Sequence, residues 1–228
     1  MLNSRFGLIG QSLNHSFSQQ FFRDFFSKND IDGTYENLEF QDIEALKSFF
    51  NDAVYNYAGL NVTIPYKTAV IPFLDRVDDE AKKIGAVNTI KVVSGQLVGY
   101  NTDVFGFRQS IKPFLTNKHE KAMVIGTGGA SKAIDFVLKK IGLEVLFISR
   151  QTNDSNDIFT YEEINNYMVD ACKLVVNCTP VGSYPFTQDE VLFPYEHLSE
   201  EHLVIDLIYN PSKTVFLKKS EDNGAQIL

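Results

Sequence analysis

The sequence predicts an α/β fold with two domains, and three observations lead to that prediction. Short apolar runs of strand length alternate with helical patterns along the chain. The 228 residues, 44% of them hydrophobic, suffice for one large core or two modest ones. A glycine cluster near mid-chain leaves enough residues on either side for a domain each. We therefore expect an α/β domain over residues 1–103, a doubly wound α/β domain over residues 104–228, and a cleft between them.

The glycine cluster Gly-Thr-Gly-Gly-Ala, residues 126–130, follows an apolar strand pattern and precedes a helical one. Gly126 is expected to make the turn, and Gly128 and Gly129 would let the backbone approach a phosphate. Ser131 stands where the dinucleotide-binding fingerprint has its third glycine, and a small residue there still permits close packing. Such clusters also occur in turns that bind nothing, so both interpretations stay open here. A P-loop is excluded, because no Gly-Lys-Ser or Gly-Lys-Thr closes the cluster.

Composition and charge disfavour several classes of protein. A formal net charge of -8 argues against a nucleic-acid surface. The sequence has neither an apolar stretch of the roughly 20 residues that span a membrane nor a secretory signal, so a cytoplasmic protein is expected. Cys172 and Cys178 are expected to be reduced core residues, and the four histidines show no metal-ligand spacing, so no metal is expected. The oligomeric state stays open, a homodimer being one assembly that the sequence allows.

In the N-terminal part, a strand over Arg5–Gly10 leads into a loop rich in hydroxyl groups and then into an apolar-periodic helix. Ser18 is predicted to be the N-cap of that helix. This role leaves Ser16 unexplained. Two hydroxyls at alternate positions beside a helix N-terminus also suit a carboxylate or polyol ligand.

Further polar residues gather where the next strand ends. The predicted elements are a strand over residues 33–40, a helix over residues 42–53 with Asp42 as its N-cap, and a strand over residues 58–65. Asn61, Thr63 and Lys67 lie at or just beyond the carboxyl end of the last strand, where open α/β sheets place ligands. A lysine after a strand is usually a solvated charge, and its polar neighbours favour a ligand site here.

A helix over residues 78–84 precedes two strand patterns that meet in a hairpin turn at Ser94-Gly95. Asn88 lies in the first of these strand patterns. Asn101-Thr-Asp103 ends the second and introduces a helical segment. Asp103 is therefore either the cap of that helix or a site residue, and both interpretations stay open.

The second half repeats the alternation of strands and helices. Its predicted elements are a strand over residues 121–126, a helix over residues 131–141 closed by Gly142, a strand over residues 143–148, a polar loop over residues 151–157, a helix over residues 161–168, strands over residues 173–179 and 203–209, and a short final helix. Thr179, Leu207 and Tyr209 thus stand at or near the ends of strands.

Six motifs in this order and spacing resemble the shikimate dehydrogenase family, and the resemblance covers nearly the whole chain. They are Asn14-His-Ser-Phe-Ser18, Gly59-Leu-Asn-Val-Thr-Ile-Pro-Tyr-Lys67, Gly85-Ala-Val-Asn-Thr-Ile90, Gly99-Tyr-Asn-Thr-Asp103, Gly126-Thr-Gly-Gly-Ala130 and Asn177-Cys-Thr-Pro-Val-Gly182. The resemblance implies a substrate-binding domain followed by a Rossmann domain that binds NADP. It also implies reversible reduction of 3-dehydroshikimate to shikimate with NADPH, in aromatic amino-acid biosynthesis.

The resemblance assigns roles to particular residues. Ser16 and Ser18 would hold the substrate carboxylate, while Thr63, Asn88 and Asp103 would bind its hydroxyls, and Tyr209 would lie near the substrate. Lys67 and Asp103 would flank the carbonyl, because hydride transfer builds charge on oxygen that a cation or acid must neutralise. The sequence leaves open which of the two moves the proton. Lys67 is the first candidate, with Asp103 orienting it and balancing its charge.

The expected cofactor is NADP. About 20 residues after the glycines, an acidic residue would bind the ribose of NAD, whereas an arginine favours the extra phosphate of NADP, and here Arg150 is present without an acid. The family usually has Asn-Arg-Thr at this point, so Ser149 and Gln151 are departures. The residues implied in cofactor binding are Gly126, Thr127, Gly128, Gly129, Ala130, Ser149, Arg150, Thr179 and Leu207. In the family, methionine is common near position 183, where this chain has Ser183.

The family continues beyond Leu228 with a glycine and a helix whose glutamine touches the substrate. The resemblance therefore implies a truncated chain with weakened substrate binding and looser coupling between its domains. Two other functions are considered: an NAD-using quinate or shikimate dehydrogenase, and a catalytically silent nucleotide-binding protein of the same fold. Intact Lys67 and Asp103 argue against the silent protein.

Overall fold

The computed structural model describes residues 4–14, 16–52, 54–151 and 157–228. His15, the predicted helix end Ala53 and most of the predicted polar loop lie outside these ranges. The chain divides into two compact units, Met1–Asp103 and Val104–Leu228. Within the described residues, no helix combines the length and apolarity needed to cross a bilayer.

The first unit is built on a mixed six-stranded sheet in the order β2-β1-β3-β5-β6-β4. Its elements are β1 (Ser4–Gly10), α1 (Ser18–Lys28), β2 (Gly33–Glu39), α2 (Ile43–Asp52), β3 (Gly59–Val62), β4 (Arg76–Val77), α3 (Asp79–Ile84), β5 (Thr89–Val93) and β6 (Gln96–Tyr100). Strand β1 runs parallel to β2 and β3, while β5 is antiparallel to both β3 and β6. The two-residue strand β4 carried no pattern strong enough to predict it.

Local signals set the helix starts and the hairpin of this unit. The Asp42 carboxylate accepts the N–H of Ala45 at 2.8 Å, which confirms Asp42 as the cap of α2. Ser94 and Gly95 have φ values of 52° and 74°, as the tight hairpin turn predicted there requires. The prediction that Ser18 caps α1 is wrong.

Ser18 is instead the first residue of α1. Its N–H donates to the hydroxyl of Ser16 at 3.2 Å, so the hydroxyl that satisfies this helix start comes from two residues earlier. Ser16 thereby gains the structural role that the sequence left unexplained.

The second unit is built on a six-stranded parallel sheet in the order β12-β11-β10-β7-β8-β9. Its elements are α4 (Asp103–Ile111, beginning with the last residue of the first unit), β7 (Lys121–Ile125), α5 (Gly129–Lys140), β8 (Glu144–Ile148), β9 (Ile158–Phe159), α6 (Asn166–Ala171), β10 (Leu174–Asn177), β11 (Leu203–Asp206), α7 (Val215–Asp222) and β12 (Gln226–Ile227). The strand order reverses between β7 and β10, which is the switch point of a doubly wound fold. The predicted fold class is thus confirmed.

The helix predicted over residues 161–168 is wrong in its extent. A short 3-10 turn covers Tyr161–Glu163, and the backbone becomes extended at Ile164. The side chain of Asn165 then accepts the N–H of Met168 at 3.1 Å and starts α6. Thr160 and Glu163 form a capping box at the start of the 3-10 turn, so two separate caps divide what the apolar pattern suggested was one helix.

Neither predicted core cysteine forms a disulfide, and the two differ in burial. Cys172 is fully buried in the core of the second unit, and burial raises the pKa of its thiol to about 11. Cys178 follows β10 and is half-buried. The core position predicted for Cys178 is therefore correct only in part.

Candidate active site

The polar residues of the first unit meet at one edge of its sheet. β1 and β3 are parallel and end at this edge, whereas the antiparallel β5 begins there and β6 ends there. The register shows this directly, since Asn61 pairs with Thr89 and Thr89 pairs with Tyr100. Residues that follow β3 and β6, or precede β5, are therefore neighbours although they are far apart in sequence.

An ion pair lies at this edge. The Nζ of Lys67 donates to Oδ2 of Asp103 at 2.7 Å, and the two side chains are 15% and 35% exposed. Asp103 is the first residue of α4 rather than its cap. Its carboxylate binds the side chains of Lys67 and Asn88, which favours the site interpretation over the capping one.

Asn88 is buried, and its amide is held in one orientation. Its Oδ1 accepts the N–H of Thr102 at 2.9 Å, the hydroxyl of Thr102 at 3.2 Å and the hydroxyl of Thr89 at 3.0 Å. Its Nδ2 donates to Oδ1 of Asp103 at 2.7 Å. Three donors occupy the amide oxygen of Asn88, and one of its two N–H groups is used by Asp103. The other N–H has no acceptor in the described part of the chain, so Asn88 can donate it to a ligand.

Three supporting residues of this cluster were not predicted as site residues from the sequence. Thr89 and Thr102 fix the amide of Asn88, as described above. Asn101 accepts the N–H of Asp103 at 3.1 Å and donates to the carbonyl of Ala86 at 3.0 Å. Their adjacency to Asn88 and Asp103 was the available signal, because strand neighbours of a site residue often orient it.

The hydroxyl residues near α1 occupy the ends of β1 and β3. Ser16 and Ser18 are half-buried at the start of α1. Thr63 is half-buried just after β3, and its N–H donates to the carbonyl of Ile9 at 2.8 Å. The hydrogen bonds of the described residues do not join Ser16, Ser18 or Thr63 directly to the Lys67–Asp103 pair.

The glycine cluster of the second unit forms the predicted turn after β7. Gly126 has a φ of 103°, which L side chains rarely adopt, and a Cβ there would lie 3.0 Å from Cγ2 of Thr179. Gly128 is the N-cap of α5 and brings no side chain to the helix start. A Cβ at Gly128 would meet no atom within 4 Å, so open space lies beside the free N–H groups of a 12-residue helix.

This turn fits a phosphate group, because uncapped N–H groups and room for close approach are what an anion needs at a helix start. Thr127 and Gly128 are exposed, and Gly129 and Ala130 are half-buried in the first turn. Ser131 is fully buried, and its hydroxyl donates to the carbonyl of Gly128 at 2.7 Å. Its burial agrees with the packing role of the third fingerprint position.

Ser149 and Arg150 follow β8, which is the neighbour of β7 in the sheet. Ser149 is half-buried, and its N–H donates to the carbonyl of Phe159 at 2.9 Å. Arg150 is exposed. Burial raises the pKa of the Tyr161 phenol, and the positive charge of the nearby Arg150 opposes that increase. The guanidinium is therefore available to an anion at the edge where the glycine turn lies.

A buried polar network anchors the loops after β10 and β11. Asn177 accepts the hydroxyl of Thr179 at 2.7 Å and donates to Asp206 at 3.1 Å. Asp206 also accepts the N–H of Ile208 at 3.0 Å and the hydroxyl of Thr214 at 2.7 Å. Burial raises the pKa of Asp206, and these hydrogen bonds oppose the increase.

This network was not predicted from the sequence. The available signal was a polar residue, Asn177 or Asp206, at the end of each of two apolar strand patterns. The predicted strands also end earlier than expected, at Asn177 and Asp206, so Thr179, Leu207 and Tyr209 lie in the loops that follow. Leu207 is half-buried, and its N–H donates to the carbonyl of Asn177 at 3.1 Å. The side chain of Tyr209 is largely exposed.

The first-unit cluster can bind and protonate an oxygen. A lysine held by a carboxylate supplies a proton donor, and an amide N–H beside them supplies directional recognition of a hydroxyl. The second unit offers a turn for phosphate and a nearby arginine. Together these sites have the chemistry of an enzyme that reduces a polar carbonyl compound with a dinucleotide.

Comparisons with known proteins agree with this chemistry. Residues 8–90 match the family model described as the shikimate dehydrogenase substrate binding domain. The shikimate dehydrogenase (NADP(+)) of Methanosphaera stadtmanae is 38% identical, over 96% of this chain and 83% of that protein.

Two solved structures are also similar over almost the whole chain. The shikimate 5-dehydrogenase of Thermus thermophilus, in complex with NADP(H) and shikimate, has a TM-score of 0.85 at 31% identity and covers 99% of this chain and 86% of its own. A quinate dehydrogenase of Corynebacterium glutamicum, in complex with NAD, has a TM-score of 0.85 at 28% identity, with 99% and 87% covered. On the sequence identity and the coverage of its relatives, this chain belongs to the shikimate dehydrogenase family.

Proposed function

We propose that this protein is an NADP-dependent shikimate dehydrogenase, which reversibly reduces 3-dehydroshikimate to shikimate in aromatic amino-acid biosynthesis. The observation that carries the proposal is the Lys67–Asp103 pair with Asn88 beside it, in a chain that belongs to this family. The shikimate dehydrogenases of Methanosphaera stadtmanae and Thermus thermophilus are named with NADP, which agrees with the arginine after β8.

In this proposal the first unit binds the substrate. Ser16 and Ser18 hold its carboxylate, and Thr63, Asn88 and Asp103 bind its hydroxyls. The orientation of Asn88 supports its role, because an amide whose oxygen is saturated can only donate to a substrate oxygen.

Lys67 moves the proton. In the reductive direction its Nζ gives a proton to the carbonyl oxygen, and in the oxidative direction it takes that proton back. Asp103 holds the Nζ in place and balances its charge, while its second oxygen is held by Asn88. These contacts order the donor before the substrate arrives, which lowers the cost of reaching the transition state.

The second unit binds the cofactor. Residues 126–130 hold its pyrophosphate, Ser149 and Arg150 its 2′-phosphate, and Thr179 and Leu207 lie on its nicotinamide side. When bound, NADPH supplies the hydride. The open space at Gly128 and the exposed guanidinium of Arg150 support this assignment.

The test is turnover by the purified chain with shikimate or quinate, each with NADP⁺ or NAD⁺, followed by the near-ultraviolet absorbance of the reduced nicotinamide. The proposal predicts the highest kcat/KM for shikimate with NADP⁺. A higher kcat/KM for quinate with NAD⁺ would contradict the proposal and favour the second candidate, a quinate dehydrogenase. The similarity to the quinate dehydrogenase of Corynebacterium glutamicum is the reason for testing this candidate. Cofactor binding without turnover of any pair would favour a silent nucleotide-binding protein.

A further inference from the structure

Tyr35 lies in the middle of β2 and has no role in the site described so far. Its side chain is buried, and its ring stacks on Phe22 with centroids 4.5 Å apart. Its hydroxyl donates to Oδ1 of Asn61 at 2.9 Å. Asn61 is a residue of β3, next to the edge where the polar cluster lies.

Asn61 connects this hydroxyl to the candidate substrate site. The Nδ2 of Asn61 donates to the hydroxyl of Thr89 at 3.4 Å, and that hydroxyl donates to Oδ1 of Asn88 at 3.0 Å. Asn88 in turn donates to Asp103 at 2.7 Å. Every hydrogen bond in this series is donated in the same direction, from Tyr35 towards the carboxylate.

Hydrogen bonds that follow one another in the same direction strengthen each other, because each group that accepts a hydrogen bond becomes a better donor to the next group. The series also fixes the amide of Asn61, since a reversed Asn61 would place its Oδ1 against the Thr89 hydroxyl, whose proton goes to Asn88. Burial raises the pKa of Tyr35, so this hydroxyl keeps its proton and stays a donor. The neighbouring Ser18 side chain interacts with the same hydroxyl.

We propose that Tyr35 is a positioning residue of the substrate site, whose hydroxyl orients Asn61 and, through Thr89, sets the amide of Asn88 that binds a substrate hydroxyl. The inference rests on the proposed function, because it takes shikimate as the ligand of Asn88. It assigns Tyr35 to ground-state binding rather than to the chemical step.

The experiment is Tyr35→Phe, which removes the hydroxyl and keeps the stacked ring. We expect the Kd for shikimate, measured by calorimetry, and the KM for shikimate to rise about fivefold to tenfold, with kcat within about twofold of the parent. The KM for NADP⁺ is expected to stay unchanged. In an Asn88→Ala background, Tyr35→Phe is expected to raise the Kd by clearly less than it does in the parent, because the main residue through which it acts is gone and only its contact with Ser18 is left.

Tyr57→Phe is the matched control. Tyr57 is a buried tyrosine of the same unit whose hydroxyl donates to Oε1 of Glu36 at 3.1 Å. We expect this variant to keep the parent's Kd for shikimate.

An unchanged Kd in Tyr35→Phe, an equal change in Tyr57→Phe, or additive effects with Asn88→Ala would each overturn the inference. These outcomes leave the proposed function standing when the parent turns over shikimate. A parent chain that neither binds nor oxidises shikimate would overturn both proposals.

Discussion

Replacing Asn88 with aspartate tests the geometry of the cluster directly. Asn88→Asp keeps the size of the side chain and substitutes a carboxylate oxygen for the Nδ2 that lies 2.7 Å from Asp103. Two carboxylates with charge centres about 4 Å apart repel by about 4 kcal/mol at an effective dielectric constant of about 20. Lys67 lies on the far oxygen of Asp103 and relieves only part of this repulsion.

The repulsion gives the stability of Asn88→Asp a distinctive pH dependence. One shared proton relieves the repulsion in the folded state, so the folded variant binds more protons than the unfolded chain does. Its free energy of unfolding therefore falls as the pH rises. We expect a destabilisation of about 2–4 kcal/mol at pH 8, a smaller one at pH 5.5, and at least a tenfold loss of turnover at pH 8.

Urea unfolding of parent and variant at both pH values measures this effect. Asn29→Asp serves as the control, because it makes the same amide-to-carboxylate change at the exposed end of α1, where Nδ2 donates to the carbonyl of Phe25. We expect it to change stability by less than about 1 kcal/mol at either pH. If Asn88→Asp were as stable as Asn29→Asp at pH 8, the described contact with Asp103 would be wrong.

Three further outcomes follow from the second unit. Gly128→Ala should lower the free energy of unfolding by about 1 kcal/mol or less, since the added Cβ meets no atom within 4 Å. The same variant should bind NADP⁺ more weakly in a calorimetric titration, because the Cβ occupies the space beside the helix N–H groups. An unchanged affinity for NADP⁺ would argue against a phosphate at this turn. Arg150→Ala should lower kcat/KM for NADP⁺ about 10- to 100-fold and leave that for NAD⁺ unchanged, and equal losses with both cofactors would contradict a 2′-phosphate contact. Burial lowers the pKa of both His119 and His202, and each ring Nδ1 accepts a backbone N–H, so the folded unit holds them neutral. The stability that the two neutral rings contribute is complete above a pH of about 6.5, and below it declines by up to about 1.4 kcal/mol per pH unit for each ring. The free energy of unfolding of His202→Gln should therefore fall less steeply between pH 7 and 5 than that of the parent. An identical slope in parent and variant would refute this prediction.

The elements that could be predicted from the sequence are those with local causes. The hairpin turn at Ser94-Gly95 needs two residues that tolerate positive φ, and the turn at Gly126 needs one, so the residue types alone indicate them. Asp42 was predictable as a cap because a single side chain and the helix it precedes decide the outcome. Ser18 was not, because two nearby serines competed and the hydroxyl of Ser16 is the one that accepts the helix N–H.

The site could be predicted only in part. The rule that ligands bind at the carboxyl ends of strands directed attention to Lys67, but its partner Asp103 is 36 residues away and is brought to it by the sheet register. The resemblance to a known family supplied that partner. The role of Tyr35 could not be predicted from the sequence, because a tyrosine in the middle of a strand is usually a core residue. Only the structure shows that its hydroxyl donates to Asn61.

The role of Lys67 in proton transfer is measured most directly by kcat for shikimate oxidation in Lys67→Met, with Lys91→Met as the control at an exposed position on β5. We expect Lys67→Met to lose at least about 100-fold in kcat, since the proton carrier is gone. We also expect a nearly unchanged thermal midpoint, because a partly exposed ion pair contributes only about 0–1 kcal/mol. Lys91→Met should match the parent in both. A Lys67→Met variant that kept more than a tenth of the parent's kcat would contradict the claim that Lys67 moves the proton.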